Sequence, residues 1–315
     1  MKLAAVFPGQ GSQSPGMLAE LASRYDVVTD TFSESSEHLG YDLWDLAQNG
    51  TAEQLRETEI TQPLMFVSGV AVWRLWQQLE MPVPSFVAGH SLGEYTALTA
   101  AGSFSFADAL KLVALRGKLM ASAVEPGVGG MAALLGMDDD KVVALCEEHN
   151  SATNVVQAVN FNSPGQVVIS GHIKALEIAC EEAKTRGARK AMLLPVSVPN
   201  HSSLMMPARA ELAAAIDDAG LTEPKIPVVQ NANAQILDST DAIKDSLKNH
   251  ITNPVYWTDS IRYMADQGMT ELVELGPGKV LAGLCKRIDK SIVTHVLENL
   301  ASADKLIEAQ QEGVN

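Results

Sequence analysis

The chain has 315 residues, enough for one large α/β domain or for a large and a small one. Its 23 basic and 38 acidic residues give a net charge of −15, which argues against nonspecific binding to nucleic acid or to an anionic membrane. No apolar run is as long as a membrane span, and Pro8-Gly9 interrupts the first one too early for a signal peptide. Three widely spaced cysteines without a C-x-x-C pair predict neither disulfides nor a zinc site, and they suit a reducing cytoplasm.

Short apolar runs alternate with helical segments along the chain, which is typical of an α/β fold with a mainly parallel sheet. Strands are predicted at residues 3–7, 85–88, 155–160, 167–170, 191–198, 228–231 and 271–275. Helices are predicted at residues 94–101, 107–121 and 204–219, the last of them capped by Gly220. Residues 303–315 are expected to form a polar tail or a fraying helix.

A glycine-rich composition break at residues 124–130 indicates a domain boundary. Beyond it the predicted order is strand, helix, strand, strand, helix, strand, with a turn at residues 162–165 between the middle strands. That order is typical of a ferredoxin-like domain. We therefore expect a small domain at residues 127–197, inserted into a large domain that comprises residues 1–126 and 198–315.

The motif Gly89-His90-Ser91-Leu92-Gly93 lies between an apolar run and the predicted helix 94–101. This strand–turn–helix context is typical of a nucleophile elbow, in which a tight turn exposes a serine hydroxyl and the flanking glycines allow strand and helix to approach. A glycine-rich turn that holds a serine by chance is the alternative. The elbow interpretation predicts Ser91 as a nucleophile and the backbone N–H of Leu92 as a donor to an oxyanion.

A serine nucleophile needs a base within hydrogen-bond reach. Of the seven histidines, His201 is favoured because it follows a predicted strand, and parallel strands place active residues at their C-terminal ends. His250, in a predicted loop, is the alternative, whereas His90 adjoins the serine and is expected to pack. With an ordinary His201 pKa, activity would fall as the pH drops through about 6.5.

Two further features, a glycine-rich loop and an arginine on an apolar helix face, are not explained by the elbow alone. The glycine-rich loop at residues 8–13 follows the first strand and can bring a second N–H to an oxyanion; a phosphate-binding G-x-G-x-x-G would need glycine at Ser14. Arg116 shares a helical stripe with Leu112 and Met120. A guanidinium on an apolar stripe needs an anion, which is either an internal carboxylate or a substrate carboxylate held bidentately.

Taken in order, these motifs resemble those of the malonyl-CoA:acyl carrier protein transacylases of bacterial fatty acid synthesis. The resemblance covers nearly the whole chain. It rests on FPGQGSQ at 7–13, GHSLGEY at 89–95, RGK at 116–118, NFNSPGQ at 160–166, PVSVP at 195–199 with His201, NPV at 253–255 with Trp257, and GPGK at 276–279.

The resemblance implies an α/β hydrolase-like large domain with a mainly parallel sheet and an inserted ferredoxin-like small domain. It implies that malonyl passes from malonyl-CoA to a serine and then to the phosphopantetheine thiol of acyl carrier protein, without a metal or another cofactor. The implied roles are a Ser91–His201 dyad oriented by the backbone carbonyl of His250, an oxyanion hole of the Gln10 and Leu92 N–H groups, and a carboxylate clamp of Arg116 and Gln62. We expect a cytoplasmic monomer that binds neither nucleic acid nor membrane.

Two positions depart from the family pattern: Asn200 stands where serine is usual, and His250 where glutamine is common. If the His250 side chain reaches the site, a second titrating group enters the pH profile of activity.

Two other functions remain possible from the residues. A serine esterase or thioesterase would share Ser91 and His201 but would not explain an inward Arg116, and an inactive carrier-protein scaffold would explain none of the three.

Acyl carrier proteins are strongly acidic, and this chain is acidic too, so binding between them needs a local basic patch. The candidates are Lys184, Arg186, Arg189 and Lys190 in the small domain, and Lys286, Arg287 and Lys290 after the GPGK turn. Isolated solvated lysines are the alternative for each of these positions.

Overall fold

The computed structural model describes residues 2–196 and 198–313. Its strands are β1 (Lys2–Phe7), β2 (Phe86–Gly89), β3 (Gly129–Leu135), β4 (Val156–Ser163), β5 (Gln166–His172), β6 (Lys190–Leu193), β7 (Val228–Val229), β8 (Met269–Leu275) and β9 (Val293–Leu297). They form a five-stranded sheet in the order β7-β2-β1-β8-β9 and a four-stranded sheet in the order β4-β5-β3-β6. A parallel sheet with a separate small antiparallel sheet confirms the predicted α/β fold class.

Helices pack against both sheets. They are α1 (Ala19–Ala22), α2 (Asp26–Leu39), α3 (Leu43–Asn49), α4 (Thr58–Gln78), α5 (Gly93–Ala100), α6 (Phe106–Ser122), α7 (Asp139–His149), α8 (Ile173–Thr185), α9 (Met206–Asp218), α10 (Thr240–His250), α11 (Trp257–Asp266), α12 (Val280–Ile288) and α13 (Leu300–Gly313), with 3₁₀ turns at Gln54–Arg56 and Ser203–Met205. In the described part of the chain, no helix has both the length and the hydrophobicity needed to cross a membrane.

Strand β1 lies at the centre of the parallel sheet, between β2 and β8. Its side chains alternate between two hydrophobic clusters: Ala5 and Phe7 belong to one, Ala4 and Val6 to the other. Both faces of the sheet are therefore covered, which explains why the sequence of β1 is an unbroken apolar run. The strand ends at the glycine-rich loop, so the same sequence that fills the core places that loop at the C-terminal edge of the sheet.

The antiparallel sheet has the strand order and the β-α-β-β-α-β succession of a ferredoxin-like fold. One face packs against α7 and α8 through residues such as Leu134, Val167 and Ile169. The other face carries Met131, Val159 and Val168 and has no helix of its own. These elements occupy residues 129–193, within the predicted small domain. The predicted domain limits also include residues 1, 197, 314 and 315, which lie outside the described residues.

Several predicted boundaries were wrong for local reasons. The strand predicted at 191–198 ends at Leu193, since Pro195 soon afterwards offers no N–H to a ladder. Gly220 does not cap α9, because the helix ends at Ala219 in an extended conformation with ψ 136°. Strand β9 was not predicted. Of the two alternatives for residues 303–315, the helix is the one found: α13 extends to Gly313, and Ala303 and Leu306 are buried.

Candidate active site

The G-x-S-x-G segment forms a sharp turn between β2 and α5. Ser91 has a φ of 52°, in the left-handed region that few residues other than glycine adopt. A Cβ on Gly89 would lie 1.8 Å from the carbonyl carbon of Gly93, and a Cβ on Gly93 would lie 2.1 Å from the carbonyl oxygen of Phe7. Both glycines are therefore required by the close approach of strand, loop and helix, as the elbow interpretation predicts.

His201 lies against the serine. Its Nε2 is 2.7 Å from Ser91 Oγ, and its Nδ1 is 2.9 Å from the backbone oxygen of His250 and 3.0 Å from that of Asn253. Both carbonyls can only accept, so Nδ1 carries the proton and Nε2 is free to accept one from the serine. Burial, reinforced by the positive charge of Arg116, lowers the pKa of His201 to about 3. The fall in activity expected near pH 6.5 is therefore displaced to more acidic pH.

His250 contributes its backbone to this arrangement. It ends α10 rather than lying in a loop, and its ring meets that of His201 edge to face at 5.3 Å. Neither ring nitrogen has a hydrogen-bond partner among the described residues, and the nearest carboxylate oxygen, on Glu94, is 4.0 Å away. Burial lowers the pKa of His250 well below its ordinary value, so its side chain adds no titration near neutral pH.

Arg116 is a fully buried cation beside the serine. Its Nη2 is 3.4 Å from Ser91 Oγ, its Nη1 donates to Gln62 Oε1, and its guanidinium lies 5.7 Å from the centre of the Tyr95 ring. Within the described residues its Nε has no hydrogen-bond partner and no carboxylate lies within 4.0 Å of its nitrogens. Burial lowers its pKa, opposed by the nearby Tyr95 and Glu94. An internal salt bridge, one of the two alternatives, is thus not what holds this side chain.

The loop after β1 lies directly against the elbow. A Cβ on Gly9 would be 2.4 Å from the backbone oxygen of His90, and Gln10 Oε1 accepts a 3.5 Å hydrogen bond from Gln62. Among the described residues, nothing accepts a hydrogen bond from the backbone N–H of Gln10 or of Leu92. All seven residues predicted for the site therefore lie together, and two backbone donors there are unused.

A cavity of about 190 Å³ opens onto the serine. The parallel-sheet side contributes Gln10, Ser91 and His201, and α12 contributes Val280, Leu281 and Leu284. The helix-free face of the small sheet forms the opposite wall with Met131, Asn160, Asn162, Gln166 and Val168. Asn200, the first departure from the family pattern, also lines this cavity.

His90 packs, as predicted, and links the two sheets. Its Nε2 is 2.7 Å from Asn162 Oδ1, and its ring lies 5.6 Å from the Trp257 ring.

Among the described residues, one group of side chains could together bind a cation: Glu148, His149 and Glu182. None of the three lines the cavity, and both carboxylates already bind Arg186.

Sequence reasoning missed three residues that hold this arrangement. Asn231 accepts a hydrogen bond from the Ser91 N–H at 2.7 Å, Asn253 shares the His201 proton, and Glu94 is fully buried with its pKa raised to about 7 by desolvation. One signal was available for Asn231, since it is a polar residue at the end of a predicted strand on the catalytic edge of the sheet. The sequence offered no comparable signal for the backbone oxygen of Asn253.

Comparison with known proteins gives a consistent result. Residues 5–308 match the acyl transferase domain family. The malonyl CoA-acyl carrier protein transacylase of Salmonella typhimurium is 50% identical to this chain over 301 residues, 96% of this chain and 97% of that protein. An acyl carrier protein S-malonyltransferase structure from Vibrio cholerae is 48% identical, with a TM-score of 0.94 over 97% of this chain and 100% of its own. A malonyl-transacylase solved in complex with a type II PKS acyl-carrier protein is 45% identical, with a TM-score of 0.95 and coverage of 98% and 100%.

Proposed function

Because this chain belongs to the family of malonyl CoA-acyl carrier protein transacylases, we propose that it transfers malonyl from malonyl-CoA to the phosphopantetheine thiol of an acyl carrier protein. The observation that carries this proposal is the Arg116 guanidinium, buried 3.4 Å from Ser91 Oγ with no carboxylate of the described residues within 4.0 Å of its nitrogens. A thioester substrate whose acyl group ends in a carboxylate supplies a negative charge that can pair with this guanidinium. A simple acyl group does not.

In the first half-reaction, Ser91 Oγ attacks the thioester carbonyl carbon while its proton passes to Nε2 of His201, 2.7 Å away. The oxyanion receives hydrogen bonds from the N–H groups of Leu92 and Gln10, which are otherwise unused. Collapse of this intermediate breaks the C–S bond, and the CoA sulfur takes the proton from His201. The phosphopantetheine thiol then attacks the malonyl-serine by the same steps in reverse, which makes the mechanism ping-pong and requires no metal or further cofactor.

Arg116 has two effects on this chemistry. It selects a carboxylate, because acetyl-CoA would leave a buried cation unpaired at a cost of about 2–5 kcal/mol. Its charge also lowers the pKa of His201. A malonyl carboxylate bound to Arg116 cancels that charge, so the correct substrate makes His201 a stronger base just when a proton has to be accepted.

The carrier protein is proposed to dock at the basic residues after the GPGK turn. In the small domain, Lys184 and Arg186 are already paired with acidic neighbours, Glu181 for the first and Glu148 and Glu182 for the second. Arg189 and Lys190 of the small domain, like Lys286 and Lys290, are exposed without an acidic partner among the described residues. Arg287 differs from these four because it donates to Gln166, which lines the cavity. The docking proposal therefore rests on Arg287, whose contact reaches the lining of the cavity that phosphopantetheine would enter.

We also propose the two-domain division at residues 127–197, a monomeric state and a cytoplasmic location. The antiparallel sheet and its helices lie inside those limits, at residues 129–193. The three cysteines are buried free thiols, which suits a reducing compartment.

Intact-mass spectrometry after brief incubation with malonyl-CoA tests the proposed function, followed by peptide mapping. One malonyl group on Ser91 that is discharged by adding holo carrier protein is the expected result, and Ser91→Ala should take up none. Fast release of malonate and CoA without an adduct would instead indicate a thioesterase. No adduct and no turnover would leave the inactive scaffold.

A further inference from the structure

Asn231 contacts the elbow on both sides of its turn. It follows β7 at the C-terminal edge of the parallel sheet and is buried. Its Oδ1 accepts the Ser91 N–H at 2.7 Å, and its Nδ2 donates to the backbone oxygen of Gly89 at 2.6 Å. One planar amide thus pairs with the last residue of β2 and with the serine, 140 positions away in the chain.

Asn231 is itself fixed by its backbone. Its N–H donates to Glu94 Oε2 at 2.7 Å, and its carbonyl oxygen accepts from the Tyr256 N–H at 3.0 Å. Glu94 is fully buried in α5, the helix that leaves the elbow. The strand before the turn, the turn itself and the helix after it therefore all converge on this single asparagine.

The serine needs such a support because its backbone is strained. A left-handed conformation at a residue other than glycine persists only where surrounding contacts determine it. A change of φ at Ser91 would move Oγ away from His201 Nε2 and would also turn the adjoining Leu92 N–H. The contact with Asn231 also occupies the Ser91 N–H, so the Leu92 N–H is left as the elbow's donor to the oxyanion.

We propose that Asn231 is a positioning residue that holds the strained Ser91 backbone, and with it the angle of Ser91 Oγ and the Leu92 N–H, through its bidentate side-chain amide. This inference rests on the proposed role of Ser91 as nucleophile. It assigns Asn231 to the rate of acylation rather than to the binding of malonyl-CoA, because neither Arg116 nor Gln62 contacts it.

The test compares Asn231→Ala with Gln230→Ala. Gln230 is a buried amide in the same loop whose side chain donates to the Val228 carbonyl and, among the described residues, forms no hydrogen bond with the elbow. Two rates are measured for each variant, malonyl loading from malonyl-CoA and labelling by a fluorophosphonate probe, together with the thermal unfolding midpoint. We expect Asn231→Ala to lower both rates about 10- to 100-fold with an almost unchanged KM for malonyl-CoA, because a displacement of about 1 Å has a cost of that order. Gln230→Ala should lower the midpoint while both rates stay close to those of the wild type.

Asn231→Asp supplies a signature that a merely structural residue would not give. A protonated aspartic acid accepts from the Ser91 N–H and donates to the Gly89 carbonyl, as the amide does, whereas the ionised form repels that carbonyl. The ratio of the Asn231→Asp rate to the wild-type rate should therefore rise as the pH falls from 8 to 5.5, because protonation of the new carboxyl, or of Glu94 which contacts residue 231, removes the repulsion that only the variant has. A ratio independent of pH, or equal losses in Asn231→Ala and Gln230→Ala, would overturn the inference. Failure of the wild type itself to take up malonyl would instead overturn the proposed function.

Discussion

Every group to which we assign bond making lies around the parallel sheet, whereas the antiparallel sheet presents Met131, Val168 and Asn162 to the same cavity. The first region contains left-handed backbone at Ser91 and His201 and buried polar atoms without partners. The hydrophobic core between the second sheet and its helices consists of leucine, valine, isoleucine and alanine side chains with Met137, Cys146 and Cys180. Among the described residues, left-handed backbone at residues other than glycine is confined to the parallel-sheet part of the chain, where it includes the proposed nucleophile and base, and the small sheet forms the opposite wall of their cavity.

If the reacting groups lie only around the parallel sheet, the largest loss of malonyl-loading rate is expected from His201→Ala. Loss of the base should slow malonyl loading about 10²- to 10⁴-fold, because Ser91 would have no group to accept its proton. Single-turnover acylation followed by rapid quench measures this rate. An unchanged rate would remove His201 from the mechanism and would place the base elsewhere.

His250→Gln tests the cost of burying a neutral imidazole in this region. Because the folded protein holds the pKa of His250 well below 6.5, the unfolded chain takes up a proton near that pH while the folded one does not. Stability from this residue is therefore present above pH 6.5 and is lost as the pH falls below it. The glutamine variant should lose less of its unfolding midpoint between pH 7 and 5, by a few degrees.

His38→Gln, at an exposed position, provides the matched control for a histidine-to-glutamine substitution. Scanning calorimetry at both pH values measures all three proteins. A midpoint of His250→Gln that falls as steeply as that of the wild type would show that His250 accepts a proton in the folded state.

A smaller effect is expected on the opposite wall. Asn162→Ala removes the 2.7 Å contact between the small sheet and His90. We expect malonyl loading to fall only about 2- to 5-fold, because His90 takes no part in proton transfer and an ordinary hydrogen bond contributes about 1 kcal/mol. A loss comparable to that of His201→Ala would mean that the small sheet is part of the reacting machinery.

The smallest effect concerns the carrier protein. Arg287→Glu should raise the KM for carrier protein a few-fold, with a weaker salt dependence, and leave malonyl loading unchanged, because exposed charges act weakly and are screened. Lys184→Glu is the control, since Lys184 is already paired with Glu181. Equal effects of the two variants would contradict docking at the GPGK side of the cavity.

The sequence predicted the elbow because the residues that form it are contiguous in the chain. They are a serine between a strand and a helix, and two flanking glycines at positions where a Cβ would clash. It also singled out His201 and Arg116 by their type and position, and the two side chains lie 2.7 Å and 3.4 Å from Ser91 Oγ. Asn231 and Asn253 were missed because their importance depends on contacts between distant parts of the chain. The Gly220 cap was wrong for a local reason: extended backbone at Ala219 ends α9 without a left-handed residue.

The central claim is that the unpaired charge of Arg116 beside Ser91 selects a carboxylate substrate, and the most direct test is the ratio of acylation rates with malonyl-CoA and acetyl-CoA. Wild type and Lys118→Ala, an exposed position on the same helix, should share a strong preference for malonyl. Arg116→Ala should lose about 2–5 kcal/mol of that preference and react with acetyl-CoA at least as fast as the wild type does. Equal losses with both substrates would contradict the account, because Arg116 would then support the chemistry without recognising the carboxylate.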